Sequence, residues 1–193
     1  SRDGKTTVSD KEDPMYKQHA QQVAYEEERQ KQEADRKAAV MSAQKRGPND
    51  PIYVFFSQTS VGPKLAKVEH KPGAIHAEIK KHMGNDPIVS WVENRSKADI
   101  ILTTDAVIKE EAGYNKKTKK IGTYPALTLT TKWQNVYTGE TGETTDKDHI
   151  LQNQVLTKRF AANLETIIKR DIGSSIPADR TQYRPGTSSS GGR

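Results

Sequence analysis

The residues with the most chemical potential are five histidines, a run of acidic side chains and a tight group of lysines. His70, His76 and His82 recur every six residues. On a helix that spacing turns neighbours by about 240°, so they share no face and cannot close on one zinc ion. Glu140, Glu143, Asp146 and Asp148 are dense enough to suggest calcium. They lack the ligand alternation and central glycine of a calcium loop, and acidic groups ahead of a helix are explained by its dipole. No Gly-x-Ser-x-Gly turn, phosphate-binding Gly-Lys-Ser/Thr loop or dinucleotide fingerprint is present, so nothing in the chain builds a catalytic mechanism. The sequence therefore implies a protein that is not an enzyme, with no cofactor and no metal.

The lysine group is the sharpest local feature. Lys116, Lys117, Lys119 and Lys120 lie between Tyr114 and Tyr124. Such a turn can contact phosphates while the tyrosines stack on bases. It can equally be a solvated hairpin tip whose lysines deter edge pairing, and Glu110 and Glu111 lie close by. These six residues are the candidate partner-binding site. A net charge of +6 is modest for a dedicated nucleic-acid binder, so protein binding or self-association is the first expectation and a nucleic-acid-binding module the alternative.

Composition bounds the architecture that must position these residues. Hydrophobic residues make up 32% and charged residues 29%, with a mean hydropathy of −0.89. That balance calls for apolar residues concentrated in one stretch with polar ends. No apolar run approaches the roughly 18–20 residues that span a bilayer. Cysteine is absent, which excludes disulfides and thiolate chemistry.

Residues 1–49 read as a polar tail and a long charged helix. From Pro14 to Arg46 there is no glycine and no further proline, and Glu26, Glu27 and Glu28 stand three or four residues before Arg29, Gln30 and Lys31. Asp13-Pro14 suits the helix start and Gly47-Pro48 its stop. Apolar positions are too sparse for a sustained heptad.

Residues 50–172 read as one α+β domain with the order β-α-β-β-β-α and two helices on one face of the sheet. Ile52–Phe56 is an apolar run typical of a buried strand, and Ile75, Ile79 and Met83 mark the first helix. Strands follow at 88–92, 98–108 and about 126–137, with Pro125 at the entrance of the last. Thr145 and Asp148 have capping-box spacing for a final helix to about Asp171, whose apolar row is Leu156, Phe160, Leu164 and Ile168, with Leu151, Val155 and Ile167 beside it. The sheet is expected to be mostly antiparallel, with a parallel pair across the opening β-α-β unit. Residues 173–193 read as a disordered or strap-like tail, Ile176 to Tyr183 being able to lie on the domain or on a neighbouring subunit.

Two segments carry a family resemblance. Lys97-Ala98-Asp99-Ile100-Ile101-Leu102-Thr103 opens a strand after a polar turn, and Leu127-Thr128-Leu129 leads into Asn135-Val136-Tyr137-Thr138-Gly139-Glu140. The pattern resembles bacterial envelope lipoprotein domains of the curli secretion component, penicillin-binding-protein activator and flagellar outer-membrane lipoprotein group, over about Ile52 to Ile168. The resemblance implies a periplasmic, outer-membrane-associated, non-enzymatic module that binds an envelope machine or forms a ring. It also implies a lipidated cysteine upstream of Ser1 as the only membrane attachment, with the charged helix as spacer. Without such an anchor a cytoplasmic location is the alternative.

Overall fold

A computed structural model describes residues 14–57, 59–67, 73–84, 86–115, 118–149 and 153–185. The chain divides into two units after Ser42. The first contains α1 (Pro14–Ser42), twenty-nine residues rich in helix formers, exposed along almost its whole length with Val40 buried. His70 and Asp13 lie outside the described residues. No helix among the described residues is long and apolar enough to cross a membrane.

The second unit is an α+β domain. In order it contains β1 (Ile52–Phe56), β2 (Ser60–Val61), α2 (Pro63–Ala66), α3 (Ala74–Met83), β3 (Val89–Trp91), β4 (Ile100–Asn115), β5 (Lys120–Asn135), β6 (Thr141–His149), α4 (Asn153–Thr166) and α5 (Arg180–Tyr183). The sheet order is β3-β1-β4-β5-β6, with β2 beside β4. β1 runs parallel to both β3 and β4, so α3 is the crossover that a parallel β1–β3 pair requires. β4, β5 and β6 form an antiparallel meander.

Alternation fixes the two faces. Ile52, Val54 and Phe56 are buried, as are Ile100, Leu102, Thr104 and Ala106 on β4. Their cross-strand partners on β5 include Thr131, Leu129 and Asn135, also buried. Against this face pack Ile75, Ile79 and Met83 of α3, Leu156, Phe160 and Leu164 of α4 and Ile168 in the turn that follows it, and the two helices pack on each other. Thr104 and Thr131 share a hydroxyl hydrogen bond of 2.6 Å inside the layer, which satisfies two buried polar groups at once.

Several elements depart from the pattern expected of the sequence. Thr145 and Asp148 are strand residues of β6, and the helix begins only at Asn153. β6 is polar on both faces, so no apolar alternation announces it. The face that meets α4 is held by ions and hydroxyls: Arg159 reaches Asp146 at 2.6 Å and Asp148 at 3.2 Å, and Asn163 donates to Thr144. Asp146 and Asp148 of the acidic run thus serve Arg159 rather than a helix dipole, and Glu143 lies 3.9 Å from Lys132. Pro125 lies inside β5 rather than at its entrance, one residue past the last β5–β6 pair, where that side of the strand has no strand partner among the described residues. Tyr137 sits in the turn after β5 and is buried, and Val155 on α4 is exposed. Leu151 lies outside the described residues. α4 loosens into π-helical turns at Ile167–Ile172 and a 3-10 turn at Gly173–Ser175.

Candidate functional site

Two features stand out, a buried charge centre and a projecting arm. The charge centre is built on Asp99, which is fully buried just before β4. Its carboxylate accepts from the Tyr53 backbone N–H at 2.9 Å and from the Tyr137 hydroxyl at 2.7 Å. Arg180 Nε lies 3.0 and 3.1 Å from its two oxygens, and Arg180 Nη2 donates to the Pro51 carbonyl at 2.5 Å. Arg184 donates to the carbonyl oxygens of Ser96 and Lys97 and to the Tyr137 hydroxyl. The two guanidinium groups also lie near aromatic rings, Arg180 by Tyr53 at 5.1 Å and Arg184 by Tyr137 at 5.9 Å.

The surrounding turns are equally committed. Asn135 accepts from the Tyr137 and Thr138 backbone N–H groups and donates to Ser175 Oγ at 2.7 Å. Gly139 takes a positive φ of 71°, which closes the turn into β6. Burial first, and then the Asp99 charge, pushes the Tyr137 hydroxyl well above the usual tyrosine range. Burial and the nearby Arg180 charge lower the basicity of Arg46, whose Nε donates to the Gly173 carbonyl. The lone pairs of the Asp99 carboxylate are taken up by these donors. Its chemistry here is to hold chain segments together.

Both segments that carry the family resemblance meet at this centre, through Asp99 and Tyr137. Arg180 and Arg184, which complete it, come from the tail that composition marks as loose. The only sequence signal for them was a pair of arginines four residues apart in a region otherwise poor in anchors.

The arm is the distal half of the β4–β5 hairpin. β6 stops pairing at Ala126–His149 and β2 at Val61–Ala106, whereas β4 and β5 pair on to Asn115–Lys120. Among the described residues, this distal part is a two-stranded ribbon. At its end Tyr114 and Ile121 stand directly opposite each other, 61% and 80% exposed. Lys119, with a φ of 53°, and Lys120 are exposed beside them. Lys116 and Lys117 lie outside the described residues. Tyr124 is on the other face, stacked on His149 at 5.5 Å and 10° and lying over Gly113. That placement separates it from Tyr114. Lys147 bridges to Glu111 at 2.7 Å on the same face as Tyr124, so one side of the ribbon is knitted and the other is bare.

Elsewhere, the His76 ring packs 4.2 Å from Phe56 and accepts from the Thr59 N–H through Nδ1, and burial lowers its pKa. His82 lies beside Glu78 at 3.4 Å. Among the described residues no three His, Asp or Glu side chains converge on a point that could hold a metal ion.

No family model and no curated protein matches this chain. Several solved structures resemble it at low identity and low structural similarity. A Xanthomonas campestris protein assigned to the family model DUF330 is 10% identical over 65% of this chain and 87% of its own, with a TM-score of 0.39. A PelC dodecamer from Paraburkholderia phytofirmans is 13% identical over 71% and 96%, with a TM-score of 0.36. A protein described as a neuraminyllactose-binding hemagglutinin homolog from Helicobacter pylori is 8% identical over 68% and 88%, with a TM-score of 0.34. None of the three bears the name of the envelope groups that the Asp99 and Tyr137 segments resemble, and at these values they carry no functional argument.

Proposed function

We propose that this chain is a non-enzymatic binding and self-assembly module of the bacterial envelope, which docks through the β4–β5 arm. The observation that carries the reading is the bare side of the arm, where Tyr114 and Ile121 are paired across the ribbon yet remain 61% and 80% exposed. A two-stranded ribbon is marginal in water unless a third element covers it, so a docking partner stabilises what the monomer leaves open. Exposed tyrosine with an aliphatic neighbour and a lysine rim is the composition of an interface centre with a polar border. The same tip offers phosphate contacts, but Ile121 at its centre has no work to do on nucleic acid.

Sedimentation velocity across a wide concentration range tests the reading. Mass should rise with concentration toward a defined oligomer, and cell fractionation should place the protein with the envelope. A monomer at every concentration, found with cytosolic markers, would remove the proposal.

A further inference from the structure

The Asp99 centre has the geometry of a receptor and its ligand. The receptor half comes from three separate parts of the domain: Tyr53 on β1, the Ser96–Asp99 turn, and Tyr137 after β5. The ligand half is the segment 176–184, whose Arg180 and Arg184 plug into it four residues apart. A groove of about 540 Å³ remains open along the contact, lined by Tyr53, Val92, Ser96 and Lys97 on one side and by Arg180 and Thr181 on the other. The strap's backbone makes few hydrogen bonds to the domain, although Ile176 and Pro177 at its start are buried. Arg46 N–H donates to the Ile176 carbonyl at 2.9 Å and Ala178 N–H to the Gln44 carbonyl at 2.8 Å, around a single antiparallel bridge between Lys45 and Pro177.

The strap is also joined to the domain by an irregular tether. α4 gives way to π-helical and 3-10 turns over Ile167–Ser175 before the strap begins. A 3-10 turn has poorer hydrogen-bond geometry than an α-helix, and π-helical turns are rare and often sit at functional positions. A terminal segment held by side-chain plugs, on a non-α-helical tether, is suited to exchange between copies. Exchange conserves every contact, so it costs the native state little.

We infer that the Asp99 socket is a recognition site for a dibasic segment with arginines at i and i+4, and that its occupant in the assembled protein is the 176–184 strap of a second copy. This rests on the self-assembly reading above. Each subunit would then donate its strap and receive another, with Asp99 neutralising the incoming Arg180.

The absence of cysteine makes a direct test available in the full-length chain. Ser96→Cys and Thr181→Cys are placed in separate chains, on exposed positions that face the same groove. The two are mixed, incubated and treated with a short bis-maleimide. The Ser96→Cys/Thr181→Cys double variant in one chain, diluted to suppress exchange, reports that the two positions are within reach. A covalent heterodimer in the mixture is expected. It should be lost when the Thr181→Cys chain also carries Arg180→Ala, or Arg184→Ala where the first variant fails to fold. Internal product in the double variant with no heterodimer in the mixture overturns the inference, and so does a heterodimer that survives both arginine substitutions. A wild-type oligomer without cross-linking between copies removes strap exchange alone. A monomer at every concentration removes the self-assembly reading as well.

Discussion

Replacing Arg180 by alanine should destabilise the domain more than any other change to a side chain that is not fully buried. The substitution removes the guanidinium that faces both oxygens of Asp99 and the donor to Pro51, leaving a fully buried carboxylate with the Tyr53 N–H, the Tyr137 hydroxyl and the more distant Arg184 guanidinium at 3.8 Å. Breaking a buried ion pair from one side costs about 3–5 kcal/mol, because the remaining charge stays desolvated. The Arg180 side chain is itself 20% exposed, so water can enter its space, and the lower figure of about 3 kcal/mol applies. Urea unfolding followed by the fluorescence of Trp91 and Trp133 measures this. With a slope near 2 kcal/mol per molar, the midpoint should fall by about 1.5 M. Asp99→Asn together with Arg180→Met should lose less than the sum of the two single changes, since the buried carboxylate and the guanidinium that faces it are removed together. A midpoint shift worth less than about 1 kcal/mol, or strict additivity in the double variant, would refute the claim that this pair organises the strap.

Other outcomes follow from local geometry. Arg159 hydrogen bonds hold the Asp146 carboxyl below the usual range, so the folded state favours its ionised form. The associated stability is present above an unfolded value of about 3.9 and is lost as pH falls through the depressed folded value. Stability curves at successive pH values below 4 should therefore fall less steeply in Arg159→Ala than in wild type. Gly142→Ala would drive a methyl group into the Trp133 indole and should cost about 1–3 kcal/mol. Gly122→Ala on the arm meets nothing within 4 Å and should be neutral or stabilising, which thermal melting distinguishes.

How much of this was readable from the sequence depended on where apolar side chains carried the information. Ile52–Phe56, the Ile75–Ile79–Met83 row and the Leu156–Phe160–Leu164–Ile168 row bury hydrocarbon, so periodicity located β1, α3 and α4. β6 carries no apolar pattern because its inner face meets Arg159 and Asn163, and it exists only as a partner of β5. The arm leaves a weak signal for a related reason: at its described end Tyr114 and Ile121 are exposed, so no buried face there requires alternation. Of the six candidate residues, Tyr114, Lys119 and Lys120 lie at the described end of the arm, and charge and aromatic type are what mark them in the sequence. Charge alone could not show that Tyr124 lies on the opposite face from Tyr114, or that Ile121 is Tyr114's partner. Asp99 was visible as part of a pattern. Its partners Arg180 and Arg184, more than eighty residues away, become meaningful only once β1, the 96–99 turn and the turn after β5 converge.

The self-assembly claim is tested most directly by sedimentation of the Tyr114→Ser/Ile121→Ser chain beside wild type at matched concentrations. Both side chains are exposed, so the double variant should keep the wild-type unfolding midpoint within about 0.5 kcal/mol. The account predicts that wild type forms a concentration-dependent oligomer while the folded double variant dissociates. An oligomer of unchanged mass and affinity in the double variant would contradict it.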